Sequence, residues 1–225
     1  MPAHPRRGDI WELQTDGQLE ERLVVSSDRW NVLNVGEVLT LEVIAGHYDE
    51  SGAYAVRVEA EGPKTIYADA ILPAPRLGMT LASWEPGPEV MAEVEAALDR
   101  ALAPTPVRRG TRRPPAHPMT GQLRLANLHI DGEDNKPVVI ISGEQYAEDL
   151  DFSLVIVCRK GSNATRSADR HFEVALRSQG GAVVCSDIRT VRTQDLRPWT
   201  SSSPVLPPQE LAEVRAKTRE MLGLL

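Results

Sequence analysis

Short stretches in which apolar positions alternate or cluster are separated by polar turns, and the same succession of stretches occurs twice along the chain. Each series opens with a glycine and an alternating run, Gly8-Asp-Ile-Trp-Glu-Leu13 and Gly121-Gln-Leu-Arg-Leu-Ala126. An aliphatic run ending in serine follows, Arg22-Leu-Val-Val-Ser26 and Pro137-Val-Val-Ile-Ile-Ser142, and then a second one, Val38 to Ile44 and Ser153 to Cys158. β-forming runs from Ala53 to Val58 and from His171 to Leu176 come next, with short apolar runs at Thr65 to Ala68 and Ala182 to Cys185. Their length and composition predict strands. Each series closes on a helical period. Met91, Val94, Leu98 and Leu102 make one apolar stripe, bounded by Pro88 and Pro104, and Leu211, Val214, Thr218 and Met221 or Leu222 make the other, after Pro207-Pro208. Gly8 and Gly121 are 113 residues apart, whereas Met91 and Leu211 are 120 apart, so the two series differ by loop insertions.

Between the series lies Pro104 to Pro118, PTPVRRGTRRPPAHP, whose prolines deny it helix or interior strand and favour an extended connector. The pattern therefore predicts a domain over 1–103, a Pro/Arg-rich linker over 104–118 and a second domain over 119–225. The fold class is mainly β with helices (α+β): two small antiparallel barrels or sheets, each capped by a terminal amphipathic helix.

Composition narrows the class. With 41% hydrophobic and 25% charged residues over 225 positions, this is the make-up of a globular protein, not of a disordered or disulfide-stapled one. No run reaches the ~18 apolar residues that span a bilayer, and the N-terminus lacks the apolar segment of a secretion signal, which points to the cytoplasm. Cys158 and Cys185 sit in apolar runs, as small buried hydrophobes do. The five histidines lack zinc-ligand spacing, and neither a metal nor another cofactor is expected. The formal net charge of −7 is unevenly spread: residues 1–104 hold 8 basic and 18 acidic side chains, residues 105–118 four arginines, and residues 119–225 hold 13 basic and 14 acidic. Affinity for phosphate backbones comes from Lys and Arg, so the second half is the better candidate for nucleic acid.

The stretch Val183-Val-Cys-Ser-Asp-Ile-Arg-Thr-Val191 resembles the apolar-Asp-Gln-Ile-Arg-Thr-Val segment of the MazF/PemK toxins, which share their fold with CcdB and Kid. Arg7-Gly-Asp-Ile-Trp11 resembles that family's opening, Lys136-Pro-Val-Val-Ile-Ile-Ser142 its Arg-Pro-Val-Leu-Val-Val-Ser strand, and Glu210-Leu-Ala-Glu-Val214 leading to Leu222-Gly-Leu224 its closing helix. The resemblance implies two divergent copies in tandem, each an SH3-like β-barrel, forming an intramolecular pseudo-dimer in a bacterial, cytoplasmic toxin-antitoxin protein. It also implies single-stranded RNA as substrate, cleaved without a metal.

The residues that the resemblance assigns to that chemistry are altered. The family's arginine falls on Glu20 in the first half and on Lys136 in the second; its threonine or serine falls near Ala45 and near Arg159. Lys136 keeps a charge but loses the planar fork that grips phosphate through two bonds. Arg22 lies two residues past Glu20, on the same side of a strand but about 7 Å away. Metal-free cleavage needs proton carriers, and His129 and His47, beside acidic neighbours, are the candidates alongside Lys136. Arg159, Lys160, Arg166 and Arg170 supply cations for RNA-backbone contacts. Trp11 and Trp30 read as core residues in strand contexts, and Trp84 and Trp199 as residues packed beneath the terminal helices. Two readings stay open: an RNA-binding endoribonuclease of altered active site, or an inactive tandem module whose acidic first half binds an antitoxin or cognate toxin. A topoisomerase-directed toxin ranks behind both.

Overall fold

The computed structural model describes residues 4–15, 17–33, 36–46, 52–103, 117–128, 135–160, 171–199 and 204–224. The chain forms two compact units, Met1–Arg100 together with Thr218–Leu225, and Ala101–Lys217. The first unit thus takes in the chain's last eight residues, which the sequence pattern had grouped with the second half. Residues 104–116 of the Pro/Arg-rich stretch lie outside the described residues.

The first series of elements is β1 (Ile10–Thr15), β2 (Gln18–Val24), α1 (Asp28–Leu33), β3 (Glu37–Ala45), β4 (Ala55–Glu59), β5 (Pro63–Pro75), β6 (Met79–Leu81) and α2 (Pro88–Leu102). The second is β7 (Leu123–Ala126), β8 (Lys136–Ile140), α3 (Glu144–Leu150), β9 (Phe152–Lys160), β10 (Glu173–Leu176), β11 (Gly181–Arg192), β12 (Leu196–Pro198) and α4 (Pro208–Met221). Each series makes one six-stranded antiparallel sheet. The orders are β4-β5-β3-β2-β1-β6 and β10-β11-β9-β8-β7-β12, so adding six to every strand number of the first gives the second.

The likeness reaches individual hydrogen bonds. Gly8 N–H donates to the Val24 carbonyl at 2.9 Å, and Gly121 N–H to that of Ile140 at 2.8 Å. At the far end of the same strands Ser26 and Ser142, both fully buried, accept from Leu39 N–H at 3.1 Å and Leu154 N–H at 3.0 Å. Further along, the pairing of β3 with β5 slips between Leu41 and Glu42, and that of β9 with β11 slips between Val183 and Ile188. These bulges carry β5 and β11 well past the short runs that apolar clustering predicts, because an odd excess, three residues in each strand, reverses which positions face inward.

The terminal helices bury the stripes the period predicts: Val94, Leu98 and Leu102 in α2, and Val214, Thr218 and Met221 in α4. In the sheets, Trp11, Val24, Val38, Ala74 and Met79 form one core cluster, and Ala126, Val138, Ile140, Val155, Val157, Val191 and Leu196 another. Trp30 is core as expected, only 3% exposed, but it lies in α1, not in a strand. The helix begins there because Ser27 Oγ accepts from Trp30 N–H at 3.4 Å and Asp28 favours the first turn. Among the described residues no helix is long and apolar enough to cross a membrane.

Both opening glycines adopt positive φ, 93° at Gly8 and 84° at Gly121, which side chains strain to reach. A Cβ on Gly8 would have Met91 Sδ at 3.8 Å, an ordinary contact, but one on Gly121 would meet Leu211 Cδ2 at 2.9 Å. Gly8→Ala is therefore expected to cost about 1 kcal/mol and Gly121→Ala about 2 kcal/mol, the difference being displacement of the leucine. Urea denaturation of the two variants measures this, and equal losses would show that Leu211 moves aside freely.

Candidate nucleic-acid interface

In the second unit, three cations are carried by the face of the sheet that holds the Val138 and Val157 cluster. Side chains two apart on a strand share a face. Lys136 precedes Val138 by two positions, Arg159 follows Val157 by two and Arg189 precedes Val191 by two, and all three valines belong to that one cluster. Lys136 and Arg159 lie two residues beyond the paired Val138 and Val157, at the same end of their strands. Arg124, opposite Val138 on β7, shares the face, with Nε and Nη2 donating to Gln122 Oε1 at 3.3 and 3.0 Å. Burial pulls its guanidinium below the usual arginine range.

The bulge in β11 adds a carboxylate. Pairing with β9 stops at Val183 and resumes at Ile188, and Asp187 falls in the skipped stretch. Its side chain, 16% exposed, bridges two arginines: Arg159 Nη2 donates to Oδ2 at 3.2 Å and Arg189 Nε to Oδ1 at 3.1 Å. The arginine side chains, 37% and 29% exposed, are less buried than that of Asp187.

The first unit shows what the equivalent positions became. Counting from Ser26 and Ser142, Glu20 stands where Lys136 stands, and the ladders agree: Glu20 pairs with Leu13 as Lys136 pairs with Ala126. Arg22 does share the face of Glu20, and the two form a short ion pair, so its charge is used internally. On the opposite face Glu21 binds Lys64, with Nζ donating to both carboxylate oxygens at 2.6 Å. Trp84 closes this group: its indole N–H donates to Glu21 Oε1 at 3.0 Å and its ring lies 5.0 Å from the Lys64 ammonium. Trp84, in the approach to α2, is thus bonded to β2 through Glu21. Where the second unit carries the cation Lys136, the first therefore carries an acid neutralised by Arg22.

Of the other expected site residues, Lys160 ends β9 and its side chain lies outside the described residues. His47, His129, Arg166 and Arg170 also lie outside them. The structure carries Lys136 and Arg159 of the expected set on one sheet face and joins Arg159 to Arg189 through Asp187, two residues to which the motif alone assigns no role. Cys158 and Cys185 are free thiols, and burial pushes Cys158 up to about 12, so it is an inert thiol at neutral pH.

Residues 120–222 match the family described as PemK-like, MazF-like toxin of type II toxin-antitoxin system. The matched span contains Lys136, Arg159, Asp187 and Arg189. Among solved structures, the chain is similar to an endoribonuclease in complex with its cognate antitoxin from a mycobacterial species, at 20% identity over 45% of this chain and 99% of that one, with a TM-score of 0.40. It is also similar to MazF from Deinococcus radiodurans, at 21% identity over 48% and 97% with a TM-score of 0.39, and to a MazE-MazF structure from the same organism, at 20% identity over 48% and 99% with a TM-score of 0.38. No curated protein gives a significant match.

Proposed function

We propose that this protein binds single-stranded RNA through the PemK/MazF-like second half, with Lys136 and Arg159 as phosphate-binding cations. The observation that carries this reading is the row of Lys136, Arg159 and Arg189 on one sheet face within the family-matched span. Partly exposed cations at the end of one sheet face suit the RNA backbone, which is read by charge and hydrogen-bond donors before any base is read. The proposal extends to two divergent copies in tandem, over 1–103 and 119–225, acting as an intramolecular pseudo-dimer in the cytoplasm of a bacterium. The identical strand order of the two sheets supports the tandem origin. With Lys136 where the family has arginine and Arg159 near its hydroxyl position, any metal-free cleavage proceeds with a weakened phosphate grip.

Retention of a labelled short single-stranded RNA, measured against salt, tests the binding. Lys136→Ala is expected to weaken retention about 5-fold at low salt and to flatten the dependence of log K on log salt by about 0.7, one single-strand phosphate contact. A wild-type chain that fails to retain RNA at low salt overturns the reading. Total RNA from an expressing bacterial host reports cleavage, as new 5′ ends that Lys136→Ala abolishes.

The first half favours a second reading for its own surface. Residues 1–104 carry 8 basic and 18 acidic side chains, and Glu20 and Glu21 hold Arg22 and Lys64. Such a surface repels phosphate and attracts a basic protein segment. A type II toxin-antitoxin setting supplies candidates, an antitoxin or a cognate toxin.

A further inference from the structure

We propose that Asp187 is a positioning residue that sets Arg159 and Arg189 as a two-guanidinium clamp for a single RNA phosphate; the inference rests on the RNA-binding reading above. A carboxylate beside a phosphate site is at first sight unfavourable, since it repels the ligand. Its geometry gives it another role. Each oxygen of Asp187 holds one arginine by one nitrogen, Oδ2 taking Nη2 of Arg159 and Oδ1 taking Nε of Arg189. A guanidinium has five N–H donors, so the bond to Asp187 uses one and leaves four others on each arginine, and neither has a second ion-pair partner among the described residues.

Two arginines brought together without an intervening anion would repel each other and swing apart. With one carboxylate between them they stay adjacent and leave a net charge of +1, to which Lys136 adds another on the same face. The burial order fits. The Asp187 side chain is the more enclosed at 16% and those of the arginines the more exposed at 37% and 29%, so a ligand reaches the arginines more readily than the anion. The bulge is what makes this reachable, because Arg159 pairs with Ala182 and Arg189 with Val155 across the ladder, and only the skipped stretch lets one side chain touch both. Stability gives little reason for the arrangement, because ion pairs this exposed contribute about 0–1 kcal/mol. Fixing two forks in advance lowers the ordering cost of phosphate binding.

The test turns on a sign. If Asp187 acts only as a nearby negative charge, Asp187→Asn tightens RNA retention; if it positions the arginines, Asp187→Asn weakens it. We expect a weakening of about 5-fold for the full chain with a labelled short single-stranded RNA at low salt, with the thermal melt nearly unchanged. Arg189→Lys separates geometry from charge: it is expected to lose about 3-fold in affinity while keeping the salt slope, and Arg189→Ala to lose about 10-fold and flatten the slope by about 0.7. Retention by Asp187→Asn equal to or tighter than wild type overturns the clamp and leaves the RNA reading standing. Should Asp187→Asn fail to fold, Arg189→Lys decides alone, unchanged affinity overturning the clamp. A wild-type chain that does not retain RNA overturns both.

Discussion

Glu21→Ala is expected to destabilise the protein by about 3 kcal/mol, because it leaves the Lys64 ammonium enclosed without a counter-charge. An exposed pair would be worth no more than about 1 kcal/mol, but Lys64 is only 9% exposed and sits between the Glu21 carboxylate and the Trp84 ring. Removing the acid strips Lys64 of both short hydrogen bonds and Trp84 of its acceptor, while the attraction to the indole face, about 1 kcal/mol, is too weak to replace them. Glu21→Gln, which retains an acceptor for Trp84 and for one ammonium proton, is expected to lose about half as much. The double variant Glu21→Leu, Lys64→Met removes both charges at similar volume and is expected to regain most of the loss. Urea midpoints read by tryptophan emission check the series. A Glu21→Ala variant within 0.5 kcal/mol of wild type, with the ~1 kcal/mol surface-pair value as comparison, would show that water reaches Lys64.

That buried pair also explains why the two halves are chemically unlike despite one strand order. A ladder fixes which positions face together and leaves open what charge each carries. At the positions of Lys136 and Pro137 the first half has Glu20 and Glu21, and each acid is bonded within its own unit, one to Arg22 and the other to Lys64 and Trp84. Arg22 shows the consequence for a would-be phosphate ligand, since its face is right but its charge is already paired.

The strand succession was legible because alternation and aliphatic runs report directly on a sheet with one buried face, and Gly8 with Gly121 marked the two beginnings. The terminal helices were legible for the same reason, being long enough to show a period. Helices α1 and α3, six and seven residues, span fewer than two turns and bury only Trp30 with Asn31, and Tyr146 with Ala147, too few positions to set a period against their neighbours. The signal available was local: Ser27 before Asp28 reads as a helix start, and Asp151, at φ 58°, ends α3. The site was legible as far as Lys136 and Arg159, whose charges stand out against apolar strands. Arg189 and Asp187 were concealed because their meaning depends on the bulge, and nothing in Val183-Val-Cys-Ser-Asp-Ile-Arg says where the ladder breaks.

Ser26→Ala is expected to cost about 3 kcal/mol and Ser142→Ala about 1.5 kcal/mol, although the two serines hold equivalent places at the ends of β2 and β8. Both hydroxyls accept the first amide of a returning chain, Leu39 N–H and Leu154 N–H, and both serines and both leucines are buried, so either substitution leaves an amide dry and unpaired. The first half adds a second dependent. Ser26 Oγ donates to Asn31 Oδ1 at 2.6 Å, and Asn31 Nδ2 donates back to the Ser26 carbonyl at 3.1 Å, which fastens α1 to the strand end. Asn31 is 1% exposed, so loss of the hydroxyl strands a buried amide oxygen as well as an amide N–H. At α3 the buried residues are Tyr146 and Ala147, and the Ser142 carbonyl accepts from Thr120 Oγ1 at 2.7 Å, not from the helix. The prediction is thus a difference and not just two losses: Asn31→Leu in the Ser26→Ala background should recover part of the deficit by removing the orphaned acceptor, whereas no comparable rescue is expected beside Ser142. Urea denaturation of the two serine variants and the double variant measures it, and equal costs for the two serines would mean that α1 is held by Trp30 alone.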